Sequence, residues 1–154
     1  MNHTQQIKKY GATWVRRQDF SLFGTATFKN RGKITDTKAI ADAKHFFNIL
    51  DRQILTRKQL SKGDRLERMV FLEHGRHRTN THIHFLIKGK CWRDYKIIWR
   101  KSEEIWPQRI ANGYDLVIKD NLGLDDTRSE YCWKELALNN QDVLLLECCH
   151  LNKH

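Results

Sequence analysis

Hydrophobic and polar positions along the chain alternate between two rhythms. Asp19 to Phe28 (DFSLFGTATF) is rich in Thr and Phe and partly alternating, which predicts a strand. From Asp36 to about Lys58 the spacing is helical. Ile40, Ala43, Phe47, Leu50 and Ile54 recur on one face, charged residues occupy the other, and Asp36 stands where an N-cap is expected. Two runs, Arg65 to Glu73 and Thr81 to Lys88, flank HGRHRTN, where Gly75 and Asn80 mark a connection, so together they predict a β-hairpin. Helical spacing returns from about Trp92 to Trp106. It puts Trp92, Tyr95, Ile98, Trp99, Ile105 and Trp106 on one face, expected in the core, and Pro107 predicts the stop. Gly113 to Lys119 (GYDLVIK) then predicts a strand, Asp125 to about Leu138 a helix, and Asp142 to Glu147 (DVLLLE) a last short strand.

The resulting order, β-α-β-β-α-β-α-β, sets an antiparallel hairpin amid helical crossovers. It predicts an α+β fold, an antiparallel-rich sheet with helices packed on it, in the ferredoxin-like or RRM-like group. At 154 residues, with one Pro and neither a linker-like tract nor a repeat, residues 1–154 are expected to form a single domain.

Charge narrows the choice of partner. The 28 Lys and Arg outnumber the 18 Asp and Glu, giving a net charge of +10 that favours a polyanion, nucleic acid first. With 40% apolar residues, the mean hydropathy of -0.71 reflects a charged surface around a core, not disorder. No stretch reaches the roughly 20 apolar residues of a membrane span, and Met1 to Tyr10 has no apolar leader core. Cys91, Cys132, Cys148 and Cys149 form no CxxC pair, so free thiols in the cytoplasm, with no membrane partner, are the expectation.

Chemistry concentrates in the hairpin. In THIHFLIK, the two-residue period of a strand sends His82, His84 and Leu86 to one face and Ile83, Phe85 and Ile87 to the other. With the aliphatic set buried against helices, the two imidazoles are expected on the accessible face, side by side, where they can hold a metal ion. A four-residue loop from Arg76 to Thr79 would set Glu73 directly across from His82 on the same face. A one-residue change of register would bring His74 across instead and turn Glu73 away. Two imidazoles and one carboxylate leave coordination positions open, as a catalytic metal centre requires. Farther on, SEYCWKE (Ser129 to Glu135) places Tyr131 and Lys134 three residues apart on one helix face, a nucleophile beside a cation.

Together these segments, over about Phe20 to Glu135, resemble the three motifs of the HUH endonucleases, in the branch of rolling-circle replication initiators called Rep proteins. FGTATFK, Phe23 to Lys29, looks like the first motif. THIHF, Thr81 to Phe85, matches the histidine-hydrophobic-histidine motif, and Tyr131 to Lys134 matches Tyr-x-x-Lys. Glu73, nine residues before His82, sits where viral Reps carry an extra carboxylate ligand.

The resemblance implies a metal-dependent, site-specific single-strand DNA endonuclease and strand-joining enzyme. Glu73, His82 and His84 would hold Mg²⁺ or Mn²⁺, and Tyr131, assisted by Lys134, would form a 5′-phosphotyrosine. No helicase domain follows, so a host or separate helicase and polymerase are the implied partners, with single-stranded or hairpin origin DNA as substrate in a phage- or plasmid-carrying cell. Candidate DNA contacts are Arg16, Arg17, Lys29, Arg31, Arg76 and Arg78, with Lys8 and Lys9 nearby. Alternatives are a single-tyrosine transposase of the same superfamily, a non-enzymatic RRM-like binding module, and a zinc site at Cys148, Cys149 and His150.

Overall fold

The computed structural model describes residues 1–75, 77–120 and 144–152. It opens with a helix, α1 (His3–Arg17), where the sequence reading placed no element. Asn2 and Gln5 cap α1 reciprocally, each side chain bonding the other's backbone N–H. The remaining elements are β1 (Leu22–Phe28), α2 (Asp36–Ile54), α3 (Arg57–Ser61), β2 (Arg68–Glu73), β3 (His82–Ile87), α4 (Trp92–Arg109) and β4 (Gly113–Asp120).

The strands form one antiparallel sheet in the order β2-β3-β1-β4. Each helical crossover skips one strand, the arrangement expected of a ferredoxin-like α+β fold. On one face Ile83, Phe85 and Ile87 pack with Leu22, Ala26, Val70 and Leu72 against Phe46, Phe47 and Leu50 of α2 and Ile98, Ile105 and Trp106 of α4. Gly24 belongs to this packing because a Cβ there would overlap the Phe85 ring, which meets Phe47 edge-on.

Several boundaries differ from the sequence expectation for local reasons. The helix expected from Asp36 to Lys58 breaks after Ile54. Leu55 is extended and Thr56 starts α3 with its own capping box to Gln59. Thr35, not Asp36, caps α2, accepting from the Lys38 N–H. α4 runs on through Pro107 to Arg109, since the lost N–H costs only one bond so close to the end. Trp92 is not core: it is 62% exposed, while Tyr95 and Trp99 are half-buried.

The helix expected at Asp125 to Leu138 lies outside the described residues, as do Asp142 and Val143. The rest of the expected DVLLLE strand is not a regular strand. Leu144 makes an isolated bridge to Phe71, and Leu146–Cys148 is a 3-10 turn. A second bridge joins His150 to Arg68, so the segment straps the outer edge of β2. No described helix is long and apolar enough to cross a membrane.

Candidate metal centre

The hairpin adopts the register that a four-residue loop requires. Glu73 pairs with His82, Phe71 with His84 and Met69 with Leu86, so Glu73, His82 and His84 share a face. Gly75 eases the turn, since its φ of +72° is one that a side chain would strain. His74 points elsewhere, its Nε2 lying 2.7 Å from Asp36 Oδ1 at the start of α2. Glu73, not His74, therefore joins the two histidines.

The three ligand atoms converge. Glu73 Oε2 lies 2.8 Å from His84 Nε2 and 3.2 Å from His82 Nε2, and the two imidazole nitrogens are 3.1 Å apart. Ligands at about 2.1 Å from one ion, at right angles, stand about 3.0 Å from each other, so this triangle fits one face of an octahedron. The protonation pattern agrees. His82 Nδ1 lies 2.7 Å from the Asn80 carbonyl oxygen, which can only accept, so Nδ1 carries the proton and a neutral ring turns its Nε2 lone pair inward. A carboxylate oxygen facing two imidazole nitrogens in a buried site is satisfied by a positive charge between them, a second ring proton or a metal ion, and this buried Glu/His/His group could bind a metal ion.

The surroundings fix the rings. Thr25, across β1 from His84, brings its Oγ1 within 3.0 Å of His84 Nδ1, and Phe23 stacks on the same imidazole at 5.2 Å between centroids. Sequence reasoning matched the FGTATFK strand to the first motif but neither placed it beside the histidines nor singled out Thr25. Its parity with Phe23 was the available signal. The histidine face itself is not open as expected: His82 is 6% exposed, His84 3% and Glu73 4%. Ala12 and Val15 of α1 pack there with Phe20, Phe23, Met69, Phe71 and Leu86, and Leu144 and Cys149 lie against the same cluster.

The expected DNA contacts separate. Lys29 and Arg31 follow the end of β1, and Thr27 pairs with His82, so both lie at the sheet end that carries Glu73 and His82. Lys29 Nζ donates to the Ala111 carbonyl at 3.3 Å, and the Arg31 guanidinium lies 5.7 Å from the centre of the exposed Tyr114 ring. Arg78, in the hairpin loop, is 4.0 Å from Asp36. Arg16 and Arg17 instead close α1, shortly before β1 begins, where Ser21 and Leu22 meet Ile87 at the opposite end. Tyr131, Lys134 and Arg76 lie outside the described residues.

The C-terminal cysteines do not resemble a zinc site. Burial pushes the Cys148 thiol up to about 12 and raises that of Cys149, whose sulfur accepts the Val70 N–H at 3.3 Å. Among the described residues only Glu73, His82 and His84 group as metal ligands.

Comparison with protein-family models, curated proteins and solved structures finds no match. Function is therefore read from the site.

Proposed function

We propose that the chain is a metal-dependent, site-specific single-strand DNA endonuclease and strand-joining enzyme of the HUH Rep type. One observation carries the reading. A His-x-His strand and a carboxylate nine residues upstream, singled out by resemblance, meet at 2.8 to 3.2 Å on one face of an antiparallel sheet. The net charge of +10 suits a polyanionic substrate.

Glu73, His82 and His84 would hold a divalent cation, Mn²⁺ or Mg²⁺. When bound, it supplies Lewis-acid stabilisation of charge developing on the scissile phosphate's oxygens. Asn80 and Thr25 hold the two imidazoles in orientation. In this reading the Tyr131 phenol oxygen attacks phosphorus in line. The Tyr–O–P bond forms and the P–O3′ bond breaks. The phenolic proton is released, the 3′ oxygen takes one up as the hydroxyl leaves, and a 5′-phosphotyrosine remains. Lys134 favours the phenolate or binds the neighbouring phosphate. Reversal rejoins the strand without ATP, because the bond energy is kept in the covalent link.

The test is a denaturing gel of the protein with candidate-origin single-stranded DNA and Mn²⁺, run beside Tyr131→Phe and His82→Ala. A covalent adduct that needs the metal and disappears in both variants supports the proposal. An adduct that persists in Tyr131→Phe moves the nucleophile to another residue. Tight binding without cleavage across many sequences leaves a non-enzymatic nucleic-acid-binding module.

A further inference from the structure

α1 carries two different faces. Ala12 and Val15 are buried against the sheet, while Tyr10 is 64% and Trp14 42% exposed. At 100° per residue, Tyr10, Trp14 and Arg17 follow one another along the outer side, with Gln6 and Thr13 beside them. The rings are separated by four residues, about 6 Å of helix rise. Residues 1–18 hold Lys8, Lys9, Arg16 and Arg17 and not one Asp or Glu; all 18 acidic residues come later. Lys9 and Arg17 are exposed, Arg17 on the side that carries the rings and Lys9 at its flank, about 100° round the helix from Tyr10.

An aromatic strip set among cations, with no carboxylate on its helix, matches what an unpaired nucleic-acid strand requires: flat faces for bases and positive charge for phosphates. A lipid surface would ask for a broad aliphatic face, whereas here Ile7 is the one exposed aliphatic residue beside the two rings, and Gln6 and Thr13 interrupt the face. We infer that the outer face of α1 is a stacking platform for single-stranded nucleic acid, on which Tyr10 and Trp14 take bases and Lys9 and Arg17 take phosphates. The inference rests on the nucleic-acid substrate proposed above but not on nicking chemistry. It extends the strand's footprint beyond the metal centre and gives a role to the outer face of the first helix, whose inner face covers the histidines.

The experiment measures binding of labelled oligothymidine and of an abasic strand of equal length to the full chain in EDTA, by fluorescence anisotropy. Tyr10→Ala/Trp14→Ala should weaken oligothymidine binding at least about fivefold per ring removed and leave abasic binding unchanged. Tyr10→Phe/Trp14→Phe, which keeps both aromatic faces, should restore wild-type affinity. Lys9→Ala/Arg17→Ala should weaken both strands alike and lower the salt slope by about 1.4.

Wild-type oligothymidine affinity in the double Ala variant overturns the inference. So does a variant that keeps this affinity while losing binding to phosphatidylglycerol vesicles, or while converting a dimer to a monomer. The nicking gel reads a separate quantity. An adduct with α1-independent binding sinks only this inference, and α1-dependent binding without an adduct sinks only the nuclease reading.

Discussion

Replacing Glu73 by Gln tests the metal centre most directly, because it removes one charge and one acceptor oxygen while keeping the side chain's shape. Glu73 Oε2 touches both imidazole nitrogens, at 2.8 and 3.2 Å, and the residue is 4% exposed, so no exposed carboxylate can substitute for it. A ligand present at one hundred times its Kd stabilises a folded protein by about 2.7 kcal/mol. For a chain of this size, 1 kcal/mol moves Tm by about 2–4 °C, so saturating Mn²⁺ should raise the wild-type Tm by about 5–11 °C. Losing an anionic ligand should weaken binding by at least the roughly 100-fold that marks the upper range for losing an outer-shell partner. At the same Mn²⁺ concentration the gain then falls to about 0.4 kcal/mol, or a Tm rise of about 2 °C or less. Differential scanning fluorimetry with and without Mn²⁺, after EDTA treatment, measures both. An equal Mn²⁺-dependent rise in wild type and Glu73→Gln, or none in wild type, would refute the assignment of Glu73, His82 and His84 as ligands.

Thr25→Val, which removes the hydroxyl at His84 Nδ1, should leave the metal-free Tm within a few degrees and lower Mn²⁺ affinity by roughly 10- to 100-fold, read by calorimetry. Asp51→Ala should destabilise the fold by about 3–5 kcal/mol in urea denaturation. It strands Arg68, whose Nη1 lies 2.9 and 3.0 Å from the two carboxylate oxygens and whose side chain is buried. The Cys148 thiol titrates higher folded than unfolded, so its contribution to stability is fully present below about pH 9 and is lost as pH rises towards about 12. Urea midpoints at pH 8 and 10.5 should therefore differ less in Cys148→Val than in wild type, and a thiol reagent should label exposed Cys91 before Cys148.

What could be read in advance was what repeats locally. The hairpin's alternation put Ile83, Phe85 and Ile87 in the core and His82 and His84 on the other side, and the loop length set Glu73 against His82. These follow from strand parity, which needs no knowledge of the rest of the chain. The burial of the histidine face was not readable that way, because it depends on where α1 and residues 144–149 come to rest. α1 itself was missed because its buried face is narrow, Ala12 and Val15 among its described side chains, and basic and polar residues surround it. Thr25 escaped notice for the opposite reason: a threonine in a strand is ordinary by propensity, and only its pairing with His84 gives it a task.

The strap formed by residues 144–150 also bears on how the protein behaves in solution. β2 is an outer strand of the sheet, and such a strand offers unpaired N–H and C=O groups to any neighbouring chain. Here Val70 O accepts the Leu145 N–H at 2.9 Å, and Arg68 and His150 exchange backbone bonds at 2.7 and 3.0 Å. The segment thus occupies the positions that a second molecule's strand would otherwise take. Removing it would take Leu145 and Cys148 from the core and leave the strand that carries Glu73 open to edge-to-edge pairing, and the consequence would be self-association of a weakened fold.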